Sequence, residues 1–274
     1  MVMTRLNNAN VFATLPFDQI DGIAGFYVHE DFEQAALLAD LVDGTGVTYD
    51  DAGHTLWHGA EIAGGAVSNI TVPVSVADHV GIISLKVGST IPADGDAASL
   101  QYGGSAVGVQ DTYLPDNNGA YIATVIRIAD VSDTIAEFGW CGQTPEVPNA
   151  GALDIVALTF DPEDAVNVDD KLFISQINDN NSDVEDALSE AKYVENDWVL
   201  LEIGLDDTGA QFRVTTEDVT ETNNIAGTIN VAMRPYFAVE NKGAAEEVLD
   251  IDLFHLRYLR RDALVGQAND WLGA

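Results

Sequence analysis

Apolar and polar residues alternate along most of this chain, and that period of two predicts β-strands. Residues 121–128 and 248–258 alternate in this way, and residues 154–160 form an apolar run that indicates a strand buried on both faces. Alternation on both sides of Asp206–Gly209 predicts a hairpin over residues 198–216. The residues predicted to share inward faces are Ile122, Thr124, Ile126 and Ile128; Val199, Leu201, Ile203 and Leu205; Phe212 and Val214; and Leu249, Ile251 and Leu253.

Helical patterns are confined to two short segments, residues 33–41 and residues 262–272. The second segment offers Asp262 as an N-cap and places Leu264, Ala268 and Trp271 in one stripe. Many strands, few helices and no regular alternation between the two predict an all-β fold, an antiparallel sandwich of two sheets.

The chain is strongly acidic, with 45 aspartates and glutamates against 11 lysines and arginines and a formal net charge of −34 over 274 residues. Repulsion among these charges destabilises a compact state in dilute buffer. At about 1 M salt the Debye length falls to about 3 Å and the repulsion is largely screened. Short, well-hydrated carboxylates and few lysines therefore favour a halophilic source, with an ordinary acidic marine protein as the alternative.

The same composition argues against several partners and locations. No basic stripe is present to neutralise phosphates, so no nucleic acid is expected as a partner. No apolar stretch approaches 18 residues, and residues 1–10 lack the apolar region of a secretory signal, so neither membrane insertion nor Sec export is expected. Cys141 is the single cysteine, which allows no intramolecular disulfide, and its apolar neighbours predict a packed thiol.

Between about residues 30 and 260, several short segments resemble the concanavalin-A-like, or laminin-G-like, jelly-roll modules of tailed-virus structural proteins. The segments that carry the resemblance are His29–Phe32, His79–Thr90 with Ala98–Gln101, the pair Phe138–Gly139, Asn196–Trp198 with the hairpin after it, Met233–Phe237, and Val248–Leu253. The resemblance implies a two-sheet antiparallel jelly roll over residues 29–260. An N-terminal arm, residues 1–28, and a short C-terminal helix within residues 261–274 would flank it. A fold of this kind does not decide the function.

One acidic segment is a candidate calcium site. Positions 1, 3, 5, 7 and 12 of a calcium-binding loop are matched by Asp179, Asn181, Asp183, Glu185 and Glu190. Val184 stands where the sharp turn of such a loop needs glycine. Since a chain this acidic produces such spacing by chance, a solvated loop is the alternative, and no cofactor is predicted.

No segment predicts a catalytic centre, so the chain is not expected to be an enzyme. Asp250 and Asp252 lack the further glutamate of the paired-carboxylate glycosidase pattern, and we expect both on the solvent face of a strand. His54 and His58 lack the adjacent glutamate of a zinc protease motif. Residues 103–108 differ in spacing from a nucleophile elbow and have no histidine assigned to them.

Acidity and the jelly-roll resemblance together favour a virion structural protein of a tailed virus that infects a halophile. It would be a capsid decoration, turret or fibre subunit, assembled in the host cytoplasm and located in the virion. Its expected partners are other virion proteins and its own copies in a homo-oligomer, with a host-surface glycan as a further possible partner. The alternative is a carbohydrate-binding, lectin-like protein or a polysaccharide-degrading enzyme of a halophile.

Overall fold

A computed structural model describes residues 25–30, 57–62, 69–71, 82–87, 95–102, 119–142, 155–163, 172–178, 183–206, 208–227, 229 and 233–259. Regular structure in these ranges consists of the strands β1 to β15, with no helix assigned among them. Every ladder between these strands is antiparallel, and the ladders build two sheets. The predicted all-β fold, an antiparallel sandwich of two sheets, is confirmed.

The first sheet has eight strands. Its hydrogen-bonded order is β13 (Thr220–Ala226), β12 (Gly209–Thr215), β11 (Val199–Asp206), β6 (Ala120–Ile128), β15 (Glu247–Leu259), β4 (Ile83–Val87) and β3 (Asn69–Thr71). The remaining strand, β1 (Gly25–Glu30), pairs with the C-terminal half of β15. The first and last described strands are therefore neighbours in this sheet.

The second sheet has seven strands. Its order is β10 (Asp183–Lys192), β9 (Leu172–Asn178), β8 (Ile155–Phe160), β7 (Thr134–Cys141), β14 (Arg234–Asn241), β5 (Ala97–Tyr102) and β2 (Trp57–Ile62). The central strand β7 passes through the pair Phe138–Gly139 and ends at Cys141.

The inner faces of the two sheets pack into one core. The predicted inward rows of β6, β11 and β12 lie on the core side, and the predicted hairpin is formed by β11 and β12 around Asp206 and Gly209. Strand β8 is buried along its whole length, as its apolar run predicted.

One predicted inward row is wrong at its end. Leu249 and Ile251 are fully buried, but Leu253 is half-buried, and Phe254 and Leu256 take the next core positions. The pairing register of β15 against β6 shifts between Ile251 and Leu253. Such a β-bulge inserts one residue and moves every later side chain to the opposite face.

The predicted boundary between N-terminal arm and sandwich, after residue 28, falls inside β1. The predicted helices, residues 33–41 and 262–272, lie outside the described residues. So does most of the strand-like segment 228–233. No helix in the described part of the chain is long and apolar enough to cross a membrane.

Polar contacts between β13 and β10 close one edge of the sandwich. The two oxygens of the Glu221 carboxylate accept hydrogen bonds from three successive backbone N–H groups, those of Ser189 (2.9 Å), Glu190 (2.7 Å) and Ala191 (2.8 Å). These donors lie where the register of β10 against β9 is irregular. We call these contacts the Glu221 clasp, and they join the edge strands of the two sheets.

Candidate functional site

The outer face of the second sheet, which points away from the core, is buried. Its side chains alternate with those of the core and are 0–8% exposed. They are Ala97, Ser99 and Gln101 of β5; Ile135, Glu137 and Cys141 of β7; Ile155, Ala157 and Thr159 of β8; Leu172, Ile174 and Gln176 of β9; and Arg234, Tyr236, Ala238 and Glu240 of β14. The polar side chains among them are buried although they lie outside the core, and buried polar groups normally have hydrogen-bond partners.

Four of these side chains form a hydrogen-bond network, here called the Glu137 cluster: Glu137, Thr159, Gln176 and Tyr236. The Tyr236 hydroxyl donates to Oε1 of Glu137. The Thr159 hydroxyl and the Gln176 amide donate to Oε2, over 2.9 Å and 3.0 Å. Gln176 Nε2 also lies 2.5 Å from Thr159 Oγ1. Three neutral donors from three neighbouring strands thus converge on one carboxylate.

Small residues in the strands make this convergence possible. The register places Tyr236 opposite Gly139, Gly139 opposite Ala157, and Ala157 opposite Gln176. Gly139 has no side chain and Ala157 has only a methyl group, so the longer side chains on either side have room to turn toward Glu137. A Cβ added at Gly139 would overlap the carbonyl oxygen of Val156 and come within 2.7 Å of the Ala157 Cα, so the sheet leaves no room for a larger residue.

A second polar group lies beside the cluster, at the start of β14. Arg234 is 8% exposed, and its Nε and Nη1 atoms are buried without a hydrogen-bond partner. The register places Arg234 opposite Cys141, whose thiol is buried and lies 3.7 Å from the amide nitrogen of Gln101. On the same face, the Ser99 hydroxyl is also buried without a hydrogen-bond partner.

The outer face of the first sheet carries a comparable carboxylate that is paired differently. Both oxygens of Glu202 accept hydrogen bonds from the guanidinium of Arg213, and Tyr121 donates its hydroxyl to Oε1 over 2.7 Å. Burial, reinforced by the Glu202 charge, raises the pKa of Tyr121 well above its usual value, so the phenol remains a donor. Glu202 is therefore neutralised inside the protein by a bidentate ion pair.

A second ion pair lies on the same face of the first sheet. The guanidinium of Arg127 bonds to Oδ2 of Asp250, and Ser84 donates to Oδ1. The Arg127 guanidinium also lies 4.9 Å from the centre of the Trp198 ring, within cation–π range. The expectation that Asp250 faces solvent is wrong: it is 5% exposed, because its neighbours on β6 and β4 supply a cation and a hydroxyl.

These two faces differ in what they offer a ligand. On the first sheet, the buried carboxylates of Glu202 and Asp250 are each paired with an arginine. On the second sheet, the described hydrogen-bond partners of Glu137 are hydroxyl and amide groups. The guanidinium of Arg234 and the hydroxyl of Ser99 carry donors without a hydrogen-bond partner. A ligand rich in hydroxyl groups finds complementary donors and acceptors on the second face. We therefore take this face as the candidate site.

The structure describes only part of the predicted calcium loop. Asp179 and Asn181 lie outside the described residues, and Asp183 is described only as the first residue of β10. Glu185 and Glu190 are exposed on the extended strand β10. Strand residues are about 3.3 Å apart, so five steps separate these two by roughly 16 Å, far more than a shared ion spans. The described residues contain no cluster of ligands suited to a metal.

The remaining sequence candidates are only partly described. His58 lies in β2, in register with Gln101 of β5, whereas His54 and residues 103–108 fall outside the described ranges. Cys141 is a buried thiol 3.7 Å from the amide nitrogen of Gln101, which confirms the predicted packed cysteine.

Sequence reasoning missed the Glu137 cluster entirely. The only available signal was a lone glutamate within the otherwise apolar segment 134–141, a charged residue in a strand predicted to be buried.

Comparison with solved structures places the fold among lectins. The winged bean acidic lectin, solved in complex with methyl-α-D-galactose, superposes with a TM-score of 0.52 at 8% identity, over 85% of this chain and 98% of the lectin. The exoplasmic/lumenal domain of VIP36 in its Ca²⁺-bound form superposes with a TM-score of 0.50 at 11% identity, over 76% of this chain and 86% of that domain. Its metal-free form gives 0.50 at 12% identity. The concanavalin-A-like jelly-roll fold expected from the short segments is thereby confirmed. No family model and no curated protein matches the sequence.

Proposed function

We propose that this protein binds carbohydrate through the outer face of the second sheet, at the Glu137 cluster. The observation that carries the proposal is the convergence of hydroxyl, amide and carboxylate groups from β7, β8, β9 and β14 on a face outside the core. Sugar hydroxyls both donate and accept hydrogen bonds, and this face offers lone pairs on the Glu137 carboxylate as acceptors and the partnerless groups of Arg234 and Ser99 as donors. A protein of the same fold, the winged bean acidic lectin, binds methyl-α-D-galactose.

The burial of this face determines how fast a sugar is expected to bind. The side chains of the cluster are at most 6% exposed, so a sugar reaches them only when the face opens. Association that requires a conformational change is slower than the usual range, which begins at about 10⁵ M⁻¹s⁻¹. Once bound, hydrogen bonds in such a site are shielded from water and discriminate strongly between sugars that fit and sugars that do not.

A pair of tyrosine variants tests the site. Tyr236→Phe removes one hydroxyl from the Glu137 cluster, and Tyr121→Phe removes a hydroxyl that donates to a buried glutamate on the opposite sheet. We expect the glycan hit from an array to bind Tyr236→Phe about tenfold more weakly by calorimetry, the effect of one lost hydrogen bond of about 1.4 kcal/mol. The Tyr121→Phe control should bind like wild type.

Two results would contradict the proposal. One is the absence of any glycan hit for the folded wild-type protein in high salt. The other is equal weakening by both tyrosine substitutions, since this would indicate a general loss of stability and not a contact with sugar.

We also propose that binding occurs without hydrolysis. Glycosidases use two carboxylates about 5–9.5 Å apart, and the other carboxylate of this face, Glu240, is paired with Lys242 over 2.7 Å. A reducing-sugar assay on the bound glycan should show no release of new ends. Steady release by wild type and not by Glu137→Gln would instead identify an enzyme.

The virion role remains a separate proposal. It rests on the charge of the chain and on the short segments that resemble tailed-virus modules, and a host-surface glycan would be the natural ligand of an attachment protein. Electron micrographs of particles labelled with an antibody against this protein test it, and labelling of cells without particles would refute it.

A further inference from the structure

The guanidinium of Arg234 is an unusual feature of the proposed sugar-binding face. It is the only arginine in the described strands of the second sheet, within a chain of net charge −34. Its residue is 8% exposed, and both Nε and Nη1 are buried without a hydrogen-bond partner. By contrast, Arg127 and Arg213 of the first sheet each bond a carboxylate.

Burying a cation without a partner is costly, because the charge gives up hydration and receives no compensating interaction. Nε carries one N–H and Nη1 carries two, so the site holds three unused donors with fixed, planar geometry. A negatively charged oxygen, such as that of a carboxylate, is the acceptor that forms the strongest hydrogen bonds with such charged donors.

The position of Arg234 links it to the Glu137 cluster. Arg234 and Tyr236 are two residues apart on β14, so their side chains lie on the same face of the sheet. The register places Arg234 opposite Cys141 and Glu137 opposite Ala238, so Tyr236 lies between Arg234 and the position of Glu137 along β14. A sugar ring at the cluster would therefore have a cation close to one end.

We infer that Arg234 recognises the carboxylate of an acidic sugar, so that the ligand class is a uronic-acid glycan. This inference rests on the proposed function and specifies its substrate class. The negative surface of the protein repels such a ligand at long range in dilute buffer, and about 1 M salt screens this repulsion. The buried ion pair between Arg234 and the sugar carboxylate is screened much less than surface charges. Acidic glycans should therefore bind well in concentrated salt, where binding through basic surface residues is weakened.

The test compares one glycan backbone in two charge states. Oligogalacturonate and its methyl ester share the same chain, but only the first carries carboxylates. Calorimetry in about 1 M NaCl, where the long-range field is screened, should give tighter binding of the acid than of the ester by about tenfold to hundredfold, the range of a charge-assisted hydrogen bond. Arg234→Met should abolish this preference, and Arg234→Lys should retain part of it.

A stability measurement separates recognition from a structural role. Replacing an unpaired buried cation by an apolar side chain of similar length relieves its desolvation cost, so the melting temperature of ligand-free Arg234→Met should rise. Arg127→Met is the matched control. It breaks an ion pair with Asp250, should lower the melting temperature, and should leave the preference for the acid form intact.

Each alternative outcome has a distinct meaning. If wild type binds the ester as well as the acid, the proposed function stands and the acidic ligand class is wrong. If Arg234→Met keeps the preference, or melts several degrees lower than wild type, Arg234 is a structural residue and the inference fails. Failure of wild type to bind either glycan, or any other, would overturn both proposals.

Discussion

Replacing Glu221 with alanine should loosen the edge where the two sheets meet. In the Glu221 clasp, one carboxylate on β13 accepts three consecutive N–H groups of β10 over 2.7–2.9 Å. Successive backbone N–H groups of this kind form a concave anion site, and here the chain fills that site with its own carboxylate. Asn223 of β13 makes further contacts across the same edge, where its amide donates to Ser175 of β9 and Asp186 of β10.

The expected loss follows from the burial of the three donors. Ser189 and Glu190 are exposed, so water can take over as their acceptor at small cost, whereas Ala191 is 0% exposed. Leaving one buried donor unsatisfied costs about 1–3 kcal/mol, and the two exposed charge-assisted bonds add a few tenths each. We therefore expect Glu221→Ala to lose about 2 kcal/mol of unfolding free energy. Glu221→Gln, which keeps one acceptor oxygen, should lose about half of that.

Urea titration in about 2 M NaCl, where charge repulsion is screened, measures the global effect. Hydrogen exchange measures the local one, and the amide of Ala191 should exchange faster in both variants. Glu217→Ala is the control, because it removes an equal charge from an exposed position in the turn before β13. A Glu221→Ala variant within 0.5 kcal/mol of that control, with unchanged protection at Ala191, would refute the reasoning.

Two further predictions concern charge. With a net charge of −34, the melting temperature should fall steeply as NaCl drops below about 1 M, because screening weakens; a value that stays flat down to millimolar salt would remove the halophilic argument. Glu247 is fully buried, and this burial raises the pKa of its carboxyl group. The nearby charges of Asp130, Asp133 and Glu246 raise this pKa further, whereas the hydrogen bond from Thr134 lowers it. A carboxyl with a raised pKa binds its proton more tightly in the folded state, so its stabilisation is present below its unfolded pKa and is lost as pH rises through the folded value. Glu247→Gln should therefore gain stability relative to wild type as the pH rises through the folded-state pKa of Glu247, as measured by denaturant titrations at several pH values. A difference that does not change with pH would show that this group does not titrate as described.

Individual strands could be predicted because their signal is local. In β6 and β11, side chains two residues apart face the same way, so the inward rows of Ile122 and Val199 follow from the spacing of apolar residues alone. The hairpin of β11 and β12 was equally predictable, because only a short turn separates two alternating segments. The acidity of the chain and its shortage of lysine also come directly from composition.

The alternating pattern failed where the backbone departs from regular pairing. At the bulge of β15, the apolar residue Leu253 still matches a period of two in the sequence, but the extra residue turns it away from the core. Nothing local marks this position, because the bulge depends on how β15 fits against β6. In the described part of the segment 179–190, Glu185 and Glu190 lie on the extended strand β10, which the spacing of acidic residues did not predict.

The sequence by itself determined that this chain alternates into strands, that those strands form an all-β sandwich, and that its surface is acidic. Only the tertiary structure decided which of the 45 acidic residues leave the surface and what they meet there. Tyr236 reaches Glu137 from 99 residues away, and Tyr121 reaches Glu202 from 81 residues away. These partners meet because sheet order makes β7 and β14, and β6 and β11, neighbours. The same order places Arg234 opposite Cys141, where its Nε and Nη1 atoms are buried without a hydrogen-bond partner. Strand formation depends on adjacent residues, whereas the pairing of buried charges depends on contacts between strands far apart in the chain.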